Sequence, residues 1–454
     1  MKRFWVILLS LGLLAVFSTA ALAVDVKFSG EFYAAGLYLD KTTVKKDTAT
    51  DGPSTAFYFQ RLRLRTDFVV TPGLTLVTRM DIMERAWGAQ RSSTGITLAS
   101  DSAGTRAENE NIAFDWAYVV YESPIGIFQV GLMEDGRTGT VFGDSYTTLG
   151  RIKYSLPLGS FRLNADITKS KDQSATAIYS ANVADADKDK YGLEGVYTWK
   201  DGKAGMKVTY YNYADKSPDP ASTPAGSNYK TQYFLFTPYA VAKIGPVALQ
   251  AEVNYATGKV KNYSTSTSDV VLENLSAFLD ATATFGPVYF GGTFAYISGT
   301  DPGNAGRQKG GVLNGGQDWN PCLIMFNYYD RTYWAGNLDG YSNTSNAGPM
   351  GNDPAAATAP GAWFGQGRLG VKPTAALDIM ASVSYASADK KPAGILSNTF
   401  GYEVDLTGTY KITNNLSYML GFGYWFTGDY YKGTSDLNKI NNDYMVINKL
   451  TLTF

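Results

Sequence analysis

The chain has no histidine and a single cysteine, Cys322, among its 454 residues. Without imidazole there is no Ser-His or Cys-His nucleophile pair, no His-bearing zinc site and no His proton shuttle. One thiol cannot close an intrachain disulfide or build a thiolate cluster. Excess charge of either sign is also lacking, with 40 basic against 41 acidic side chains, so no nucleic-acid partner is implied. These absences argue against an enzyme, and neither a metal nor a cofactor is expected. Past the N-terminus no apolar run approaches the ~18 residues that mark a membrane-spanning helix. What is abundant is glycine (47), tyrosine (32) and phenylalanine (23), a composition that favours strands with a broad aromatic surface.

The N-terminus carries Lys2 and Arg3, then the apolar run Phe4 to Phe17, then Ala21-Leu22-Ala23. That order reads as a secretory signal peptide over residues 1–23, cut after Ala23. An uncleaved anchor is the alternative, but the run is short for a span. Residues 24–454 then form one domain.

Within it the hydrophobic period is two. In Arg61-Leu62-Arg63-Leu64-Arg65-Thr66-Asp67-Phe68 the apolar and charged residues alternate, as they do in Leu74, Leu76, Met80 and Ile82 against Arg79 and Asp81. Ile112, Phe114, Trp116, Tyr118 and Val120 against Asp115 read as a third such strand. Connections fall into two kinds. Eight are short and rich in Gly, Pro or Asn, near residues 71–73, 123–126, 156–159, 200–203, 244–246, 285–287, 372–375 and 413–415. Nine are long and polar, near 41–55, 88–109, 135–148, 171–189, 215–229, 261–270, 299–362, 389–398 and 429–442. Strict alternation of short and long predicts an all-β fold, a transmembrane antiparallel β-barrel of about 18 strands, with long extracellular loops and short periplasmic turns. Sixteen strands is the alternative, and 20 becomes possible if the apolar stretch Trp319 to Phe326, inside the long 299–362 loop, forms strand. That stretch could equally be a lid, a lumen plug or a subunit contact. A soluble β-sandwich is the competing fold, but sandwiches do not keep such loop asymmetry.

A three-residue turn at 71–73, with Gly73 in the left-handed position, sets Arg65 opposite Arg79 and Arg63 opposite Asp81 on the inner face. Arg61, Arg63 and Arg65 on alternate positions repel one another and call for nearby acids. Arg151, Lys153 and Ser155, then Arg162, Asn164 and Asp166, then Glu403, Asp405, Thr407, Thr409 and Lys411 give further inner faces of mixed sign. Tyr402, Val404, Leu406, Tyr410 and Ile412 face lipid. Tyr210, Tyr211, Tyr213, Phe234 and Phe236 read as interface girdle, or alternatively as an aromatic track for sugars. Asp185, Asp187 and Asp189 imitate a calcium loop, but Lys190 stands where the glycine belongs, so a solvated loop beside lipopolysaccharide is the better reading.

At the C-terminus Tyr444, Val446, Leu450, Leu452 and the final Phe454 alternate with Lys449, Thr451 and Thr453. This ending resembles the terminal strand read by the outer-membrane assembly machinery. Phe57 to Thr148 resembles the bacterial outer-membrane trimeric porins, in the Arg-Leu-Arg-Leu-Arg-Thr-Asp-Phe strand, Phe114-Asp115-Trp116-Ala117-Tyr118, Gly126 to Gly131 and Gly139 to Asp144. The resemblance implies a homotrimer in the cell outer membrane and passive diffusion of ions and small hydrophilic solutes. It implies too that residues 134–148 fold into the lumen as a constriction, carrying Glu134, Asp135 and Asp144 toward Arg61, Arg63, Arg65, Arg79 and Asp81. Eighteen strands, however, look more like sugar-type channels, so a substrate-selective channel is the alternative function.

Overall fold

The computed structural model describes residues 24–46, 52–88, 112–145, 147–172, 187–215, 229–262, 268–304, 306–310, 316–336 and 359–454. The expected signal peptide with its cleavage site at Ala23, and Asp185, lie outside the described residues.

Eighteen antiparallel strands close on themselves. They are β1 (Asp25–Leu39), β2 (Thr55–Thr71), β3 (Leu74–Ala86), β4 (Ile112–Ser123), β5 (Gly126–Asp135), β6 (Thr147–Leu158), β7 (Phe161–Lys171), β8 (Lys188–Trp199) and β9 (Gly202–Asp215). There follow β10 (Tyr229–Ile244), β11 (Val247–Asn262), β12 (Val270–Phe285), β13 (Val288–Ile297), β14 (Ala362–Thr374), β15 (Leu377–Ser387), β16 (Thr399–Lys411), β17 (Leu416–Thr427) and β18 (Asp443–Thr453). Short connections alternate with long ones as expected, although two turns lie further along than expected, at 159–160 and 375–376, because the strands run through Pro157 and Pro373. Between β2 and β3, Gly73 takes φ +82°, and the register pairs Arg65 with Arg79 and Arg63 with Asp81. That conformation is open to glycine at little cost and strained for a side chain with a Cβ.

Closure removes the unpaired sheet edge that lipid would not tolerate. Strand β18 pairs with β1 from Glu31↔Thr453 to Leu39↔Met445, and Gly30 and Phe454 exchange backbone hydrogen bonds at 2.8 and 3.1 Å. The outer wall is apolar: Phe114 is 67% exposed and Leu193 61%, values that only an acyl-chain environment makes affordable. Tyr402, Val404, Leu406, Tyr410 and Ile412 are likewise exposed, on the outer face as the alternation requires. No helix among the described residues is long and apolar enough to cross a membrane; the strands cross it.

One strand departs from simple alternation. The β3–β4 register shifts between Arg79 and Met80, so that Arg79 faces Trp116 while Met80 faces Phe114, and Asp115 is the extra residue of a bulge. A bulge inverts the faces beyond it. Ile112 and Phe114 therefore point to lipid, whereas Trp116 is buried in the lumen wall, contrary to the single face the period-two pattern suggests.

The lumen is occupied on the loop side. Residues 136–145 enter from the β5–β6 connection and 316–336 from the β13–β14 connection. Their rings join the inner wall in one apolar cluster. Phe142 stacks on Phe278 at 5.1 Å, Trp319 meets Phe142 at 5.3 Å and Phe364 at 5.0 Å, and Trp334 stacks on Phe59 at 4.5 Å. The apolar stretch Trp319 to Phe326 is thus a lumen insert, not a strand, and the count stays at 18.

Candidate functional site

The arginine wall is assembled as its register requires, and its counterions come mostly from the wall itself. Arg63 holds Asp81 with two bonds, Nε and Nη2 each at 2.6 Å, and approaches Asp115 at 3.6 Å. Arg79 reaches Asp115 at 3.1 Å while its guanidinium lies 3.7 Å over the Trp116 ring. Arg61 stands between Glu31 at 3.5 Å and Glu84 at 3.6 Å, and Arg65 turns away to Asp67 at 2.8 Å. The bulge at Asp115 supplies a carboxylate shared by two arginines, a bridge no pattern of strict alternation offers.

Two residues expected opposite this wall are elsewhere. Asp135 faces a second cluster, where it accepts from Lys190 and lies 3.5 Å from Arg151, with Arg151 and Lys207 also engaging Asp166. The reason is its position at the end of β5, where alternation points it toward β6 and β8. Asp144 caps its own loop, accepting the Thr138 backbone N–H at 2.6 Å. Burial, with Glu252 and Asp318 near, pushes its carboxyl up to about 8. Glu134 does turn toward the lumen, but onto Arg137 at 2.9 Å, which bridges to Asp318 at 3.3 Å.

Both luminal segments are held by a buried glutamate of the inner wall. On β11, Glu252 accepts the Thr140 N–H at 2.7 Å and the Thr140 hydroxyl at 2.8 Å, and is itself braced by Asn254 at 2.7 Å. On β16, Glu403 accepts the N–H groups of Ile324 and Met325, each at 2.6 Å. Cys322, Glu403 and Asp405 bring potential ligand atoms within 4.8 Å of one another. Both Glu403 oxygens are spent on the insert's backbone, so the set reads as a socket rather than a metal site. Burial pushes the Cys322 thiol well above its ordinary range, and its Sγ lies 3.2 Å from the Ser384 hydroxyl. The segments also meet each other, Asp318 N–H donating to the Asp144 carbonyl at 3.1 Å.

Between the arginine wall and the insert lies a cavity of about 500 Å³. Arg61, Arg63, Asp81, Glu84 and Asp115 line one side, and Arg137, Gln317, Tyr328, Tyr329, Asp330, Tyr333 and Trp334 the other, with Glu31, Tyr33 and Lys449 from β1 and β18. Lys449 ends on Asp330 at 2.9 Å. The sequence pattern set Lys449 on the polar face of its strand without marking it as a site residue, and Glu31 and Glu84 went unmarked although each sits on an inner position of a readable strand. The pattern had no signal for the tyrosines of the insert. The alternative aromatic track is not assembled: Tyr210, Phe234 and Phe236 share the outer face, while Tyr211 stacks on Tyr233 inside at 4.3 Å and is buried. Asp187 and Asp189 clasp Lys169 at 3.2 and 2.8 Å.

No family model and no curated protein matches the chain. Solved structures do. Pseudomonas aeruginosa OccK8 (OprE) is 13% identical with a TM-score of 0.50, covering 94% of this chain and 98% of its own. OccK9 (OpdG) of the same organism is 12% identical at 0.50, covering 95% and 99%. The chain has the fold of these proteins. OccK2 (OpdF), solved in complex with glucuronate, aligns at 12% identity and 0.47, covering 95% and 97%. With its lipid-facing exterior and closed sheet, the molecule is a large β-barrel of the outer-membrane kind.

Proposed function

We propose that the chain is a substrate-selective outer-membrane channel for small hydrophilic solutes, in preference to a non-selective diffusion pore. The observation that carries this reading is the double filling of the lumen. A barrel of 18 strands is wide enough to leave an open aqueous channel. Here two inserted segments, each fixed by a wall glutamate, narrow the loop-side lumen to a cavity whose ~500 Å³ falls in the range of small-molecule binding sites. Polar groups of both signs converge on it, which favours passage of hydrated or hydroxylated solutes over apolar ones.

Purified protein in planar bilayers tests this. A selective channel gives currents that individual solutes block saturably. Currents that only scale with salt, with no solute blocking, return the chain to general diffusion. Export by the signal peptide with cleavage after Ala23, insertion by the assembly machinery through the Phe454 strand, contact with lipopolysaccharide, and the trimer belong to the same proposal. N-terminal sequencing of the membrane-inserted protein and a heat-shift gel test the first and the last.

A further inference from the structure

We propose that the luminal cavity takes an uncharged polyhydroxylated solute, a sugar or polyol, and discriminates against the corresponding carboxylate. This rests on the selective-channel reading above.

An arginine wall invites the opposite conclusion, because a guanidinium presents a fork that matches a carboxylate. In this cavity each of these cations already faces an acid. Both donors of Arg63 that face Asp81 bond to it at 2.6 Å, Arg61 is flanked by Glu31 and Glu84 at 3.5 and 3.6 Å, and Lys449 ends on Asp330 at 2.9 Å. Four basic residues line the cavity against five acidic ones. An entering carboxylate therefore meets a slightly negative surround, and can gain a guanidinium only by displacing an acid that would be left without its partner.

A hydroxylated solute meets no such penalty. An ionised carboxylate accepts about four hydrogen bonds, so sugar hydroxyls can donate to Glu31 and Asp330, whose side chains stay partly exposed, without breaking their pairs with Arg61 and Lys449. Tyr33 and Tyr333 add side chains with an apolar body and a polar tip. The Tyr33 ring is itself flanked by Arg61 at 5.0 Å and Lys449 at 4.7 Å, which further occupies those two cations.

Glucose and glucuronate share a ring and differ in one carboxylate, so they form the test pair. In proteoliposomes of the full chain, glucose should enter saturably and roughly threefold or more faster than glucuronate, as a surround without net positive charge requires. Asp81→Asn with Asp115→Asn takes both neighbouring acids from Arg63 and should reverse the order. Glu31→Gln with Glu84→Gln does the same around Arg61 should the first pair fail to assemble, which heat-modifiable migration reports. Glucuronate entering the unaltered channel as fast as glucose, or an order unmoved by either pair, overturns the proposal and leaves the selective channel standing. Entry of neither solute overturns this proposal alone, whereas entry of both without saturation brings down the selective channel with it.

Discussion

Replacing Glu252 with alanine should release residues 136–145 from the inner wall. The glutamate receives the N–H and hydroxyl of Thr140 at 2.7 and 2.8 Å, and the Gly143 backbone also donates to it. Hydrogen bonds to a charged acceptor contribute ~1.5 to 3 kcal/mol each. Water in the lumen recovers part of what is lost, so a net change of about 3 kcal/mol is a conservative value, equal to a shift of roughly 100-fold in the ratio of docked to released loop. Single-channel recording should then show larger conductance and more open-channel noise, with Glu252→Gln, which keeps one acceptor oxygen, in between. Gly143→Ala attacks the same contact from the other side, since a Cβ there would lie 2.2 Å from a Glu252 oxygen and 2.9 Å from Asn254. Alanine at either position with conductance and noise equal to the parent would refute the latch.

The second socket can be read through the lone cysteine. Cys322 is buried beside Glu403, so a maleimide should not label it in the folded parent, whereas Glu403→Ala frees the backbone of Ile324 and Met325 and should make it labelled within minutes. Equal labelling would show that the apolar packing of Trp319 and Phe326 holds the insert unaided. For the pH dependence, a released Asp144 titrates near 3.8 and the docked one near 8, so the docked loop holds a proton that the released loop gives up across that window. Docking is strongest below it, weakens by about 1.4 kcal/mol per pH unit at most as pH rises through it, and levels off above. Open-channel noise should grow from pH 5 to 8, and Asp144→Asn should flatten the profile. Finally, Arg63→Gln with Arg79→Gln leaves Asp81 and Asp115 without their guanidiniums and should move the reversal potential toward cation selectivity; an unchanged potential would place these groups off the ion path.

The wall of this protein was legible because its physics is local. Alternation decides which side of a strand meets lipid, and Pro72-Gly73 or Asn414-Asn415 decides where a chain must turn, so strand number and the facing of Arg63 on Asp81 follow from short windows. Asp115 marks the limit of that reasoning. A bulge costs one residue of register and leaves no trace in a hydrophobic pattern, so Trp116 looked lipid-facing until the ladder placed it under Arg79. The lumen contents were harder still. Residues 316–336 have no period, because a segment wrapped by wall on several sides buries residues in succession, as Ile324, Met325 and Phe326 are.

The two sockets suggest why an acid, and a buried one, recurs at both docking points. A loop that leaves the sheet has backbone N–H groups with no strand to receive them, and inside a crowded lumen those groups are costly to abandon. A carboxylate on the inner wall accepts two of them at once, and it does so whatever the side chains of the loop are. The grip on backbone at Thr140 and at Ile324 and Met325 fixes the segments through main-chain atoms, while neighbouring side chains, Arg137 on one segment and Tyr328, Tyr329 and Asp330 on the other, line the cavity. The lining side chains add to that fixation, Arg137 bridging Glu134 and Asp318 and Asp330 holding Lys449, so a substitution that spares these pairs changes the cavity with the least loosening of the inserts that form it.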